Sequence, residues 1–416
     1  MILNLKIIFT LSLRNLTRNK KRTLLTIISV LMAITILIVA DTYLSGLLNS
    51  IINDTIKLSG HFKIQKKEYL LKSRVLPLNI FLENSDEIIK RLQEEEMIET
   101  ANKRIRFSAL LDCNGVNTGG MGIAIEAEKE KKYLQIENSL LEGKYFTNTF
   151  TKKNEIILGK NIANNLKAKI GDIVTLLSKD TYGSLAVKNF EIIGIFDFGS
   201  EQLNKLFFIA IEKANEILEM RNNVQEIVLF LKDINNAEKI ISNLKNKKIF
   251  DETISIEYYL ESGILKVLSP LLKIIIKIIF GFFISIAILI ISNTMFMSIL
   301  ERIKEIGVLR ALGMSKESLL LIFLFEGIII GLIGSFIGSL IGSILSLVIE
   351  KYGINFGALV KGFPLPIKTI IYGEFKPMII IWSIISGIIV SIISGFIPAY
   401  KGANLKIVDA IREIKK

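Results

Sequence analysis

Cysteine and histidine are almost absent from this chain of 416 residues. Cys113 is the single cysteine and His61 is the single histidine. One cysteine cannot form a disulfide within the chain, and one histidine cannot build a histidine-rich metal site. Disulfide-stapled scaffolds and zinc chemistry of that kind are therefore excluded. We expect Cys113 to pack as a small apolar residue and His61 to have a structural role.

The common sequence signatures of catalysis are also missing. In a phosphate-binding loop a Gly-Lys pair is followed by Ser or Thr, but the two such pairs here are followed by Tyr145 and Asn161. The chain has no G-x-S-x-G elbow and no H-E-x-x-H motif. We therefore predict a non-catalytic protein that binds neither ATP through such a loop, nor a metal, nor a cofactor.

Apolar residues, in contrast, are abundant. They make up 50% of the chain, and the mean hydropathy is +0.48. A transmembrane helix needs about 20 mostly apolar residues, and four stretches meet that requirement, at residues 23–48, 271–298, 318–347 and 378–400. The sequence thus predicts an α-helical membrane protein with four transmembrane helices and a large extracytoplasmic α+β domain between helices 1 and 2.

The distribution of basic residues predicts the orientation. Residues 1–22 carry six basic side chains and no acidic one, and the segments 299–317 and 401–416 are also basic, while the short loop 348–377 carries only four lysines. Because Lys and Arg are concentrated on the cytoplasmic side of membrane proteins, we predict a plasma-membrane protein with both termini in the cytoplasm. Residues 1–22 alternate apolar and polar positions, which is typical of a helix on the membrane surface. A cleaved signal peptide is the alternative, but the first apolar stretch is too long for one.

Residues 49–268 have the composition of a soluble domain and are numerous enough to form their own core. Short alternating patterns predict strands at residues 61–65, 105–112, 121–126, 155–158, 172–178, 187–196, 206–211, 224–231 and 253–258. Apolar residues that recur every three or four positions predict helices at residues 86–95, 160–166, 212–220 and 236–247. We therefore expect an α+β domain with two lobes.

Acidic residues within the apolar stretches are few. Asp41 and Glu350 lie near the ends of predicted spans, and Glu326 lies about a third of the way into its span. No series of buried charges indicates an ion pathway. The spans are therefore expected to transmit force rather than to conduct ions.

The segment between the second and third spans carries a family resemblance. It reads SILERIKEIGVLRALGMS from residue 298 to 315, and this resembles the FtsX/MacB-type permeases of ABC transporters. The segments 13–25 and 397–412 are similar to the entry and exit segments of that family. Within the outer domain, the segments 60–65, 104–108, 141–145, 157–160 and 169–172 resemble the lipoprotein-releasing LolC/LolE branch.

The resemblance implies that residues 299–317 form a cytoplasmic coupling helix that docks on a separate ATPase. Five residues are expected to line its apolar side: Ile303, Ile306, Leu309, Ala311 and Leu312. The expected coupling residues are Glu301, Arg302, Glu305, Gly307, Arg310 and Gly313, the last as a helix cap. A solvated loop helix without a partner is the alternative.

The third span contains a row of small residues. Its glycines are Gly327, Gly331, Gly334, Gly338 and Gly342. Such small-xxx-small steps allow helix backbones to approach closely, so we expect them to pack against another span or against a second copy of the chain. Contact with a substrate is the less favoured interpretation.

The functional prediction follows from the resemblance. It implies a permease subunit of a bacterial plasma membrane that transmits the motion of an ATPase to its outer domain, for lipoprotein release or export of an amphiphilic substrate. The implied partners are a cytoplasmic ABC ATPase, a second permease copy or a related permease, the lipid bilayer, and lipoproteins or an extracytoplasmic adaptor; no nucleic acid is expected. Two alternatives remain open, efflux of a peptide or antibiotic and FtsX-like regulation of a cell-wall hydrolase.

Overall fold

The computed structural model describes residues 5–18, 20–146, 153–234, 237, 240, 241, 244, 251, 253–261, 265–356 and 368–404. Within this part of the chain two compact units separate. The first comprises the described residues of Met1–Leu48, Pro270–Ile354 and Tyr372–Lys416, and the second those of Asn49–Ser269 and Asn355–Ile371.

The first unit is helical. Its helices are α1 (Leu5–Arg18), α2 (Lys20–Ser59, which continues into the second unit), α8 (Leu265–Glu301), α9 (Ile303–Ala311), α10 (Lys316–Tyr352) and α11 (Met378–Ala403). Four of them, α2, α8, α10 and α11, are long and apolar enough to cross a membrane. The prediction of four apolar helices is thus confirmed. Each of the four contains the stretch that the sequence indicated, and α2 and α8 extend well beyond it.

Helix α10 is the most buried of the four long helices. It packs along α11 and also contacts α1. Its N-terminus begins after Ser315, whose hydroxyl accepts a hydrogen bond from the amide of Ser318, as is usual for an N-cap. Side chains of Val30, Ile34 and Ile38 from α2 are buried around it. Helix α10 is therefore the structural centre of this unit.

The second unit is built on a ten-stranded sheet. Its strands are β1 (Phe62–Lys66), β2 (Ile98–Cys113), β3 (Val116–Ile125), β4 (Leu140–Gly143), β5 (Glu155–Gly159), β6 (Ile173–Lys179), β7 (Leu185–Phe196), β8 (Leu206–Ala210), β9 (Glu226–Leu231) and β10 (Ile254–Tyr258). Strand pairing closes a ring in the order β2-β3-β8-β5-β7-β6, and β9, β1 and β10 extend the sheet from the first half of β2. Among the pairs of strands that the structure describes, β3 with β8 and β5 with β7 are parallel and the others are antiparallel.

Short helices cover this sheet. They are α3 (Lys67–Lys72), α4 (Ser85–Gln93), α5 (Ala127–Leu134), α6 (Lys160–Leu166) and α7 (Ile211–Ile217). Two-residue strands, β11 (Ile354–Asn355) and β12 (Ile370–Ile371), lie between α10 and α11. The core contains buried aromatic and aliphatic residues, among them Phe107, Phe207 and Leu229. The expected α+β domain is therefore present.

The nine predicted strands are all present, although their ends differ. Strand β2 begins at Ile98, seven residues before the predicted start, because the buried polar residues Asn102 and Arg104 interrupt the apolar alternation. Strand β4 and helices α3 and α5 were not predicted. Of the helix predicted at 236–247, most residues lie outside the described part, and the described ones are helical.

Candidate functional site

The predicted coupling segment folds as the short helix α9 between α8 and α10. Arg302 separates it from α8, and Gly313 follows its C-terminal end with a φ of +91°. The amide of Gly313 donates to the carbonyl of Arg310, and the amide of Met314 donates to that of Leu309. Glycine adopts such a left-handed conformation without steric cost, so Gly313 ends the helix in the way the sequence suggested.

The exposed face of α9 differs from the predicted one. Ile303, Ile306 and Gly307 are buried, as an inward side requires. Ala311 and Leu312 were expected on that side but are exposed, because the chain leaves the helix at this point. We use "the exposed face of α9" for four residues: Lys304, Val308, Ala311 and Leu312. Leu312 is 80% exposed. An apolar edge beside a lysine therefore lies open at the surface of this unit.

Arg302 does not lie on that face, contrary to expectation. Its side chain is buried, and its Nη1 lies 3.0 Å from Oε1 of Glu326 on α10. Nδ2 of Asn15 on α1 donates to the same oxygen at 2.6 Å, and Nη2 of Arg302 donates to the carbonyl of Asn15 at 2.9 Å. This closed triangle, the Arg302 network, joins α1, the start of α9 and α10. A charge buried this deeply requires a partner, so Arg302 is better suited to positioning α9 than to contacting a separate protein.

The two predicted coupling acids also have partners within the chain. Arg22 of α2 forms a short ion pair with Glu301, and Arg18 of α1 does so with Glu305. Both pairs are partly exposed, so each one stabilises the fold only slightly. Arg310 donates to the carbonyl of Met314 at 3.1 Å. Two arginines near the N-terminus of the chain thus form ion pairs with acidic residues at the end of α8 and in α9.

Sequence reasoning did not identify Asn15 and Glu326 as site residues. Glu326 was noted as an acid inside an apolar stretch, which is the signal that could have indicated a buried partner. Asn15 left no such signal, because an asparagine in an amphipathic basic helix is unremarkable. Ser12 adds a further contact, since its hydroxyl donates to the carbonyl of Ile322 at 2.9 Å.

The glycines of α10 lie at close approaches to neighbouring helices. A Cβ atom on Gly334 would lie 2.7 Å from Cβ of Val30, and one on Gly338 would lie 2.7 Å from the carbonyl oxygen of Leu31. Gly342 faces Ile38 and Thr35 on the same helix, α2.

The other two glycines face α11 instead. A Cβ atom on Gly327 would lie 3.2 Å from the carbonyl oxygen of Ser391, and one on Gly331 would lie 2.5 Å from the Ser391 Oγ. The five glycines therefore border two different helices of the same chain.

In the second unit, two arginines of β2 bind the C-terminal end of α2. Arg104 is fully buried and forms a bidentate pair with Glu130, with both N···O distances 2.7 Å. It also donates to the carbonyls of Leu58 at 2.6 Å and Lys57 at 3.0 Å. Arg106 donates to the Leu58 carbonyl as well. The last carbonyls of a helix have no partner within it, so these guanidinium groups satisfy them and complement the negative end of the helix dipole.

A buried acid supports the second arginine. Nε of Arg106 donates to Oε2 of Glu226 at 2.9 Å, and Lys63 lies 3.9 Å from the same carboxylate. Burial would raise the pKa of Glu226, but Arg106 and Lys63 together lower it below its ordinary value. Glu226 therefore stays ionised, and the end of α2 is joined to the sheet by a network of charged hydrogen bonds.

His61 and Cys113 have the surroundings of structural residues. Nδ1 of His61 accepts a hydrogen bond from the amide of Leu231 at 2.8 Å, and burial lowers the pKa of this histidine. Cys113 is buried in the core of the second unit, where burial raises the pKa of the thiol. Within the part of the chain that the structure describes, no group of three or more His, Cys, Asp or Glu could hold a metal ion.

Two family models match the chain, the MacB-like periplasmic core domain over residues 23–247 and the FtsX-like permease C-terminal domain over residues 277–407. An uncharacterized ABC transporter permease of Methanocaldococcus jannaschii is 26% identical over 420 residues, 97% of each chain. The lipoprotein-releasing system transmembrane protein LolC of Neisseria meningitidis is 23% identical over 321 residues, 73% of this chain and 72% of that protein. The periplasmic region of MacB from Actinobacillus actinomycetemcomitans is 13% identical, with a TM-score of 0.37, over 53% of this chain and 97% of that structure.

The chain has four long apolar helices, with an α+β unit between the first and second and a short helix between the second and third. This arrangement defines a polytopic membrane protein with a large folded domain. Both family matches fall on these parts in the same order. The chain belongs to the FtsX/MacB-type permeases of ABC transporters.

Proposed function

We propose that this chain is the force-transmitting subunit of a plasma-membrane ABC transporter that handles a lipid-linked or amphiphilic substrate. A separate cytoplasmic ATPase supplies the energy, and both termini and α9 lie on its side of the membrane. A second permease, identical or related, completes the assembly. The lipoprotein-releasing relatives favour a substrate that carries a lipid.

The exposed face of α9 is the observation that carries this proposal. Three of its four residues are apolar and lie in the open, next to Lys304. Exposed apolar residues that adjoin a charge are typical of a surface that another protein covers. The Arg302 network, behind α9, joins this helix to α10, so a displacement of α9 would be passed to a long helix rather than absorbed by a loop.

The predicted coupling residues have different roles in this proposal. Glu305 and Arg310 border the exposed face of α9, and Gly313 ends the helix beside Leu312. Glu301, Arg302 and Gly307 support α9 from within the chain. The glycines of α10 allow the close helix contacts through which the motion would travel.

A substitution in the exposed face tests the docking role. Leu312→Asp places a charge where we expect an apolar contact, and burying an unpaired charge costs at least about 1–3 kcal/mol. We expect recovery of the ABC ATPase that copurifies with the wild-type chain, quantified by mass spectrometry, to fall by about tenfold. ATP turnover of the reconstituted complex should fall in parallel.

Leu71→Asp is the matched control. Leu71 is 86% exposed and lies in the second unit, so the same chemical change there should leave ATPase recovery unchanged. If Leu312→Asp also leaves both recovery and turnover unchanged, α9 is only a connecting helix and the coupling proposal fails.

A further inference from the structure

The first unit contains a lateral pocket that the coupling function does not use. It lies between α2, α8 and α11 and encloses about 250 Å³. Its lining residues are Leu37, Ala40, Asp41, Leu44, Ile276, Ile279, Phe280, Phe283, Ile379, Trp382, Ser383 and Ser386. All three helices are long and apolar enough to cross a membrane, so we expect lipid chains to have access to the pocket. We call it the Asp41 pocket.

Among the described residues that line the pocket, Asp41 alone is charged. The two polar residues of α11 are already occupied, since Ser383 donates to the carbonyl of Ile380 and Ser386 donates to that of Ser383. Among the described residues, none donates a hydrogen bond to the Asp41 carboxylate or forms an ion pair with it. The charges of Lys376 and Glu374 interact with Asp41 electrostatically, but these two residues form an ion pair with each other at 3.6 Å.

An ionised carboxylate in such surroundings is energetically unfavourable. Apolar side chains cannot replace the water that an ionised group loses, and acidic residues within membrane-spanning helices usually have a functional partner. Lys376 lies close enough to act on Asp41 electrostatically but forms no ion pair with it, so a positively charged head group in the pocket would supply a direct partner. The remaining surface of the pocket is aliphatic and aromatic, and it suits a hydrocarbon chain.

We propose that the Asp41 pocket binds an amphiphile with a cationic amine head group and a long apolar chain. The ammonium group pairs with the Asp41 carboxylate, and the chain lies against Phe280, Phe283 and Leu37. An anionic head group would meet a like charge, and one carboxylate without other oxygen ligands is a poor site for a metal ion. This inference rests on the proposed function, because it names the class of amphiphile that such a permease would take up from the membrane.

The chain carries its own reporter for this pocket. Trp382 is the only tryptophan of the protein, and it lines the pocket. Bromine atoms quench tryptophan fluorescence at short range, so 9,10-dibromostearylamine is a suitable probe. The full chain would be placed in uncharged lipid nanodiscs and titrated with this amine, with dibromostearyl alcohol and with dibromostearate. We expect saturable quenching at the lowest concentration for the amine.

Substitutions at the carboxylate separate binding from simple partitioning into lipid. Asp41→Asn should weaken the response to the amine by about tenfold, because a charge-assisted hydrogen bond is lost, and leave the alcohol unaffected. Asp41→Glu should retain most of the response. An unchanged Trp382 emission spectrum without probe would show that the Asn variant is folded.

A second control moves the reporter. Phe336 on α10 is exposed, and none of the described residues of that helix lines the pocket. The double variant Trp382→Phe/Phe336→Trp should show only the weak, unsaturable quenching of lipid partitioning. Equal quenching by all three head groups, or an Asp41→Asn variant that binds the amine as the wild type does, would overturn the proposal. The titration requires no ATPase, so its failure would leave the coupling function standing, and failure of coupling would leave this binding intact.

Discussion

Buried charges are the most informative residues of this protein. Arg302 and Glu326 pair at one point of the helical unit, and Arg104 and Glu130 pair in the α+β unit. Each pair also bonds to another segment, Asn15 in the first case and the end of α2 in the second. A buried ion pair contributes little net stability compared with apolar residues, but removing one partner is costly. The main effect of these pairs is therefore to determine which segments pack together. Their contribution to the net stability of the fold is smaller.

The Arg302 network allows a direct test of this view. Arg302→Met removes one partner and leaves the Glu326 carboxylate buried without its counter-charge. We expect this variant to be destabilised by about 3–5 kcal/mol. The midpoint of thermal unfolding of the full chain in detergent would report the change.

The double variant Arg302→Met/Glu326→Gln provides the control. Gln keeps an oxygen that accepts from Asn15 but carries no charge, so most of the lost stability should return. If the single and double variants melt at the same temperature, the uncompensated charge is not the cause of the loss.

At the scale of elements, α10 determines how closely the long helices pack. Lipid chains are as apolar as Leu side chains, so helices in a bilayer associate through close backbone contact rather than through the hydrophobic effect. The five glycines of α10 supply such contact on two sides, toward α2 and toward α11. The glycine row was visible in the sequence, but the division between two helices was not, because a spacing of four residues does not identify the neighbour.

Gly338→Ala should weaken this packing. Its new Cβ atom would lie 2.7 Å from the carbonyl oxygen of Leu31 and 3.0 Å from the Leu31 Cα, so the two backbones must separate. We expect a loss of about 1–3 kcal/mol, as for other overpacked positions. The thermal unfolding midpoint in detergent is again the measurement.

Gly281→Ala on α8 is the matched control for this prediction. Apart from its own stretch of helix, no described atom lies within 4 Å of the position that its Cβ would take, so only the higher helix propensity of Ala applies. This variant should unfold at the same or a higher temperature. A loss of stability equal to that of Gly338→Ala would show that glycine is needed for flexibility and not for close packing.

At the scale of the whole molecule, the orientation in the membrane is the property on which the other functional statements depend. The coupling proposal requires α9 and both termini on the side of the ATPase and the α+β unit on the opposite side. The basic segments at residues 1–22 and 299–317 favour this arrangement, since Lys and Arg near short loops resist translocation.

Cysteine labelling measures this orientation directly. In a Cys113→Ser background, Lys144→Cys places a thiol on an exposed position of the α+β unit, and Lys316→Cys places one at the start of α10. We expect an impermeant maleimide to label Lys144→Cys in intact cells and to label Lys316→Cys only after permeabilisation. The reverse pattern would invert the orientation, and the ATPase could then not reach α9.

Much of the architecture could be read from local patterns. The four apolar stretches exceed the length that a bilayer demands, and the alternating segments of the domain between the first two predict nine of its strands. The motif at residues 298–315 led to the family and to Gly313 as the end of α9. These features are repetitive or contiguous along the chain, so the sequence by itself determined them.

The tertiary structure decided which charges are buried and what they bind. Glu326 meets Asn15 across 311 positions of the chain, and Arg104 meets the Leu58 carbonyl across 46. The Asp41 pocket likewise combines three helices that are far apart in sequence. Helical or strand periodicity shows which side of a segment is apolar, but it does not show which segment packs there. Arg302 therefore read as a surface residue of a coupling helix, whereas folding places it in a buried pair, because only the packed helices bring its counter-charge within reach.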